Sequence, residues 1–346
     1  MEMRPIGSLY VSVVGLGCNN FGGRLEEEAS ARVVQAAVDA GINFFDTADV
    51  YGGTKSEEFV GRALKSRRDQ VVIATKFGIK LDDQRPGGAH PDYIRRAVED
   101  SLRRLETDRI DLYQLHTPDP KVPIGDTLEA LDGLVKAGKV REIGCSNFSA
   151  DQLREAAQAA GGARFVSVQN HYSLLHREPE GDVLPECERQ GLAFLPYFPL
   201  ANGLLTGKYR LGQPPPEGVR LTGSGPSAGW LSDANLQKVE ALLQFAEARG
   251  HTILDLAVSW LLARPVIASV IAGATKVEQI TANVGAANWK LTAEQEKKDA
   301  TENSLDTSIA YGMWKVLREL ADRNRHTVLC RSRSRQYAIE WRAGLP

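Results

Sequence analysis

From residue 11 to about residue 287 the chain repeats one pattern: a short apolar run, a loop, then an amphipathic stretch. The apolar runs are 12–16, 43–45, 71–75, 111–115, 140–145, 165–168, 192–195 and 266–272. Several are rich in Val, Ile and Phe, as expected of parallel strands buried on both faces. Between them, 26–40 places Ala29, Val33, Ala36, Ala37 and Ala40 at helical spacing, and Gly41 ends it. The stretch 92–105 sets Ile94, Ala97, Val98, Leu102 and Leu105 on one helix face, while 127–137 stops at Gly138 and 151–160 at Gly161. Strand–helix alternation of this kind makes a parallel sheet. Eight strands with helical segments between them predict an α/β fold closed into a (β/α)8 TIM barrel, as a single domain. On pattern alone, an open doubly wound sheet fits as well.

Two stretches break the rhythm. Residues 212–229 hold Pro214-Pro215-Pro216 and Gly223-Ser224-Gly225-Pro226, which predicts a loop. After Leu291 the alternation stops, so the barrel is expected over 1–291, with 292–346 a C-terminal extension of unknown structure. Its basic end (Arg331, Arg333, Arg335) reads as a solvated terminus.

A length of 346 residues suits one β/α barrel, and 42% hydrophobic with 25% charged residues is a globular composition. A net charge of −2 gives no electrostatic reason to expect nucleic acid or an anionic membrane as partner. No secretory h-region follows Met1, and the apolar stretch 253–274 is broken by Asp255, Arg264 and Pro265, so it is no membrane span. The four cysteines (Cys18, Cys145, Cys187, Cys330) form no CxxC and read as reduced thiols of a cytoplasmic protein. The six histidines form no HxH or HExxH pair, so no metal is expected. The run 14–20 only begins like a dinucleotide fingerprint, since Asn20 stands where a third glycine belongs. The run 203–209 is one residue short of a P-loop. Trp260 and Trp289 read as packing residues.

In a β/α barrel, chemistry sits at the C-terminal ends of the strands. Strand 2 ends in Asp46, with Tyr51 in the loop beyond; strand 3 ends in Lys76 and strand 4 in His116. Singly, each has an ordinary reading: a turn cap, a packed phenol, a solvated amine, a hydrogen-bonded imidazole. Four titratable groups on three consecutive strands, aimed at one mouth, read as a site. They suit proton transfer to a carbonyl oxygen. Tyrosine keeps its proton at neutral pH, a nearby ammonium such as Lys76 eases its release, Asp46 can hold that ammonium, and His116 can polarise the carbonyl. No side chain carries a hydride, so a nicotinamide cofactor is required. Ser146, Asn147, Gln169, Asn170, Tyr197, Thr275 and Lys276 close the later strands.

The run Phe44-Phe45-Asp46-Thr47-Ala48-Asp49-Val50-Tyr51-Gly52 resembles the signature of the aldo-keto reductase family. So do Ala74-Thr75-Lys76-Phe77-Gly78, Asp111-Leu112-Tyr113-Gln114-Leu115-His116, Gly144-Cys145-Ser146-Asn147-Phe148 and the stretch 199–209. The resemblance implies an NADPH-dependent reductase of small aldehydes or ketones, with a catalytic tetrad at Asp46, Tyr51, Lys76 and His116. It implies that Ser146, Asn147 and Gln169 hold the nicotinamide amide and that Tyr197 stacks on its ring. Phe198, Leu200, Gly203 and Lys208 would touch the cofactor from the loop after strand 7. Gly273, Thr275, Lys276, Gln279 and Asn283 would grip the adenosine end, Lys276 meeting a 2′-phosphate. The resemblance leaves oligomeric state and the named substrate open. It also admits a second reading: potassium-channel β subunits of the same family are cofactor-binding regulatory partners of a membrane protein. A metal-dependent barrel hydrolase would need ligand spacing that this sequence lacks.

Overall fold

All eight apolar runs form strands, and the ring they make is closed. The computed structural model describes residues 1–221 and 228–291; the 222–227 part of the proline- and glycine-rich stretch, and the 292–346 extension with Cys330 and its arginines, lie outside the described residues. A hairpin comes first, β1 (Met3–Ile6) and β2 (Leu9–Ser12). The barrel strands follow: β3 (Val14–Gly17), β4 (Phe44–Asp46), β5 (Val72–Phe77), β6 (Ile110–Leu115), β7 (Val140–Ser146), β8 (Phe165–His171), β9 (Ala193–Tyr197) and β10 (Val270–Gly273). Helices stand between them: α1 (Glu27–Asp39), α2 (Lys55–Leu64), α3 (Pro91–Arg104), α4 (Ile124–Lys136), α5 (Ala150–Ala159), α6 (Val183–Gln190), α7 (Asp233–Glu247), α8 (Ile253–Leu262) and α9 (Val277–Ala286). A 3-10 turn, Ala228–Leu231, precedes α7.

The barrel strands pair in the order β10-β3-β4-β5-β6-β7-β8-β9, all parallel. The two ends meet: the Phe194 amide donates to Val266 O at 2.8 Å, and the Ala268 amide to Phe194 O at 3.3 Å. An open doubly wound sheet would leave those edges apart, so the barrel is the correct choice of the two.

The run 12–16, which the sequence presents as one strand, divides. β2 ends at Ser12 and β3 begins at Val14. Ser12 is diverted by its own bonds: its amide donates to Asn43 Oδ1 at 2.7 Å and its hydroxyl to Val14 O at 2.7 Å. The hairpin before it has too little alternation to be read from the sequence. It packs Ile6, Leu9 and Val11 against Phe44, Val72, Leu112 and Leu195, closing the N-terminal face of the barrel. Arg4 fastens it by donating to Leu262 O (2.8 Å), Arg264 O (3.2 Å) and Ile267 O (2.7 Å).

The loop from β4 to α2 carries Tyr51, and close backbone approach fixes its path. Gly52 has φ +58, and a Cβ there would meet Phe21 O at 2.3 Å. Farther along, α2 lies so close to the end of α3 that a Cβ on Gly61 would stand 2.5 Å from the Leu105 carbonyl. Gly61→Ala should therefore force the two helices apart and lower the unfolding free energy by about 1–3 kcal/mol in urea titrations. An unchanged midpoint would show that α2 can slide without cost.

Candidate active site

Lys76 is fully buried near the end of β5. An ammonium has three N–H donors, and all three are used. Nζ donates to Asp46 Oδ1 at 2.6 Å, to Thr47 O at 3.0 Å and to the Tyr51 hydroxyl oxygen at 3.3 Å. The other oxygen of Asp46 accepts from Gln169 Nε2 at 2.9 Å and Gln114 Nε2 at 3.2 Å. Because the Tyr51 oxygen accepts from Lys76, the phenol's own hydrogen is left to point elsewhere. His116, just beyond β6, sets its ring edge-on to Tyr51, with centroids 5.9 Å apart.

Burial works against the Lys76 ammonium, yet Asp46 and Tyr51 outweigh it and hold its pKa above the ordinary lysine value. Burial pushes the Tyr51 phenol up, and Lys76 offsets this only in part. The sequence-based expectation that the ammonium lowers the phenol pKa thus holds for the direction of Lys76's effect, while desolvation decides the net sign in the free protein. Burial first, and the Lys76 charge second, depress His116 to about 3. It is a neutral imidazole at physiological pH, with a buried Nδ1 that has no hydrogen-bond partner among the described residues.

One cleft of about 740 Å³ opens above these groups. Every site residue expected from the sequence lines it, except Lys76, which lies behind the wall. Ser146 and Asn147 end and follow β7. The Ser146 hydroxyl donates to Gln169 O at 2.7 Å, and Asn147 Nδ2 donates to His116 O at 3.0 Å and Ser146 Oγ at 3.1 Å. Asn147 adopts φ +63, which Asn tolerates better than most residues. Its Oδ1 accepts the Tyr197 hydroxyl at 2.9 Å. Thus several donors expected to face a cofactor amide are engaged within the protein. Also lining the cleft, Gln279 Oε1 accepts from the amides of Thr275 (2.7 Å) and Lys276 (3.2 Å), where α9 begins. Lys276 is exposed, and Asn283 is buried.

The sequence did not single out several of the site's polar groups. Gln114 shares the inward face of β6 with His116 by the two-residue period of a strand, and an amide in an apolar run was its signal. Arg24 and Arg220 join Lys208 on the cleft wall. None of the three is ion-paired among the described residues. Burial, then their neighbours' like charge, lowers the pKa of Lys208 and Arg220. Asn20 Oδ1, also on this wall, is buried without a hydrogen-bond partner among the described residues. Nothing in the sequence distinguished these loop arginines from surface ones. A cleft whose wall carries three cations without ion pairs among the described residues fits a dinucleotide with a diphosphate bridge.

A sequence model described as the aldo/keto reductase family matches residues 13–298. The chain is 38% identical over 316 residues to the aldo-keto reductase YhdN of Bacillus subtilis, covering 87% of this chain and 93% of that one. It is 34% identical over 298 residues to a probable voltage-gated potassium channel subunit beta of Oryza sativa, covering 83% and 91%. The solved holo form of the aldo-keto reductase AKR11C1 from Bacillus halodurans superimposes with a TM-score of 0.71 at 34% identity, over 86% of this chain and 94% of that one.

The depressed His116 pKa has a consequence for stability. The unfolded chain titrates this imidazole near 6.5, above the folded value, so its contribution is present above 6.5 and is lost as pH falls toward about 3. NMR titration should find His116 neutral between about pH 5 and 8. An inflection near 6.5 at this residue would mean that water reaches the ring.

Proposed function

The chain belongs to the aldo/keto reductase family, oxidoreductases that use nicotinamide cofactors, and on that premise we propose that it transfers a hydride from NADPH to the carbonyl carbon of a small aldehyde or ketone, with Tyr51 as proton donor. The observation that carries this reading is the filled donor set of Lys76. An ammonium that already donates to the Tyr51 oxygen stabilises the phenolate left after proton release, and leaves the proton itself free to go. The cofactor, when bound, supplies the hydride. Asp46 keeps Lys76 charged and in place, and Gln114 and Gln169 keep Asp46 in place. His116, neutral, can donate one hydrogen bond to the carbonyl oxygen while Tyr51 delivers its proton there. Excluding water from Lys76 strengthens each of these interactions.

Ser146, Asn147 and Gln169 are our candidates to border the nicotinamide amide, and Tyr197 to lie against its ring. Phe198, Leu200, Gly203 and Lys208, with Arg24 and Arg220, would line the diphosphate. Gly273, Thr275, Gln279 and Asn283 would take the adenosine end, and the exposed Lys276 a 2′-phosphate. The catalytic unit we infer is 1–291, in keeping with the compact Met1–Lys290, with 292–346 an extension of it. Its place of work is the cytoplasm, a reading supported by three buried free thiols among the described residues; no described helix is long and apolar enough to cross a membrane. The rice relative favours a second reading, a cofactor-binding subunit of a membrane protein.

Turnover separates the two. NADPH oxidation against a panel of aldehydes and ketones should be measurable for the native protein. In Tyr51→Phe it should fall by about 10²–10⁴-fold with NADPH affinity retained. A native protein that binds NADPH and turns over none of the panel would sink the reductase reading in favour of the second. Lys276→Met should reduce the preference for NADPH over NADH by about tenfold, read from the ratio of their kcat/KM values; an unchanged ratio would remove Lys276 from the 2′-phosphate site.

A further inference from the structure

Beside Tyr197 stands a pair of imidazoles, His171 and His176, that the reaction as described does not use. The register of β8 and β9 pairs His171 with Tyr197. Their rings lie nearly parallel, 13° apart with centroids at 5.4 Å. On the other side of His171 lies His176, 9° from parallel and 3.7 Å away. A tight turn brings it there: the Ser173 amide donates to His176 O, and the His176 amide to Ser173 O, both at 3.0 Å. Glu178 Oε2 stands 3.0 Å from His176 Nδ1 and fixes the outer ring. Phe198 and Trp230, each with its centroid 5.7 Å from that of His171, close the box.

His171 Nε2 is buried without a hydrogen-bond partner among the described residues. Burial, then the neighbouring His176, lowers its pKa to about 4, so the inner ring of the stack is uncharged at neutral pH. What the His171 ring offers Tyr197 is therefore a flat face, not a charge. Tyr197 is restrained in two further ways. Its hydroxyl donates to Asn147 Oδ1 at 2.9 Å, and its edge meets Phe198 at 5.3 Å and 85°. Asn147 in turn is held by the backbone carbonyl of His116. The Tyr197 plane is thus fixed at one end from the catalytic histidine and on one face from the imidazole stack.

We propose that His171, backed by His176, is a positioning residue for hydride transfer: it sets the plane of Tyr197, and through Tyr197 the plane of the nicotinamide ring. This rests on the assignment of Tyr197 to the nicotinamide made above. Hydride transfer is steep in distance and angle, so a phenol ring free to rock costs rate even where the cofactor still binds.

The experiment uses the full chain, an aldehyde that it turns over, and NADPH with and without deuterium at the transferred position. His171→Leu removes the flat face, His171→Phe keeps one, His176→Ala removes the outer ring, and Tyr197→Leu removes the stacked phenol. His171→Leu should lower kcat by about three- to tenfold and raise the deuterium isotope effect on kcat, with KM for NADPH little changed. His171→Phe should recover most of the loss. The Tyr197→Leu/His171→Leu double variant should be no slower than Tyr197→Leu alone, because the two substitutions break one contact. Thermal unfolding checks that each variant folds. If His171→Leu does not, the partly exposed His176→Ala carries the test, with an expected loss of about two- to threefold. Unchanged kcat and isotope effect in the folded histidine variants, alongside a slowed Tyr197→Leu, overturn the proposal alone. Unchanged NADPH affinity and kcat in Tyr197→Leu overturn the assignment of Tyr197 and this proposal with it.

Discussion

A buried ammonium organises this protein. Lys76 has no contact with solvent, and a charge moved out of water is stable only when it is paired and its hydrogen bonds are filled. The barrel meets that demand with one carboxylate oxygen, one carbonyl and one phenol oxygen, drawn from β4 and the loop beyond it. The demand then spreads outward. Asp46, itself buried, needs its second oxygen satisfied, and β6 and β8 each supply an amide for it. Four strands are therefore tied to one charge. Removing the positive charge would strand Asp46; removing Asp46 would strand Lys76. The arrangement that makes Tyr51 a candidate acid is also what makes the top of the barrel hold one geometry.

The two faces of the barrel spend their buried charge differently. At the opposite end of the same strands, Asp111 at the start of β6 accepts Arg68 at 2.7 Å and Arg141 at 3.0 Å and also caps the Ile73 amide at 2.9 Å. Each of those charges has a partner, so that face supports the fold. On the cleft face, Arg24, Lys208 and Arg220 stand near one another without ion pairs among the described residues. Cations left unpaired beside a cleft are costly for the free protein and suited to an anionic guest.

How much of this could be read from the residues follows from what each feature depends on. Strand runs such as 71–75 and 165–168 declare themselves because both faces are apolar, and helices such as α1 because their apolar positions recur every turn. Asp46, Lys76 and His116 stood out because a polar residue closing such a run is conspicuous. The Met3–Ser12 hairpin did not, since its burial comes from plugging a barrel that only the tertiary fold creates. Ser12 was assigned to the wrong strand because the bonds that divert it come from Asn43, far along the chain. Arg24 and Arg220 look like any loop arginine until the fold sets them on one wall. His171 and His176 are five residues apart with no motif, and only a reciprocal pair of backbone bonds stacks them.

Closure of the ring has a consequence for how the protein is made. β3 begins at Val14 and its partner β10 at Val270, while the plug formed by Met3–Ser12 is fastened by Arg4 to carbonyls of Leu262, Arg264 and Ile267. During synthesis the first strand of the ring leaves the ribosome long before the strand that covers its free edge. Until then β3 offers an unpaired, apolar rim to any other nascent chain, a hazard typical of folds whose contacts span most of the sequence. The last strand to emerge is the one that removes it, so the ring cannot close until translation has passed β10.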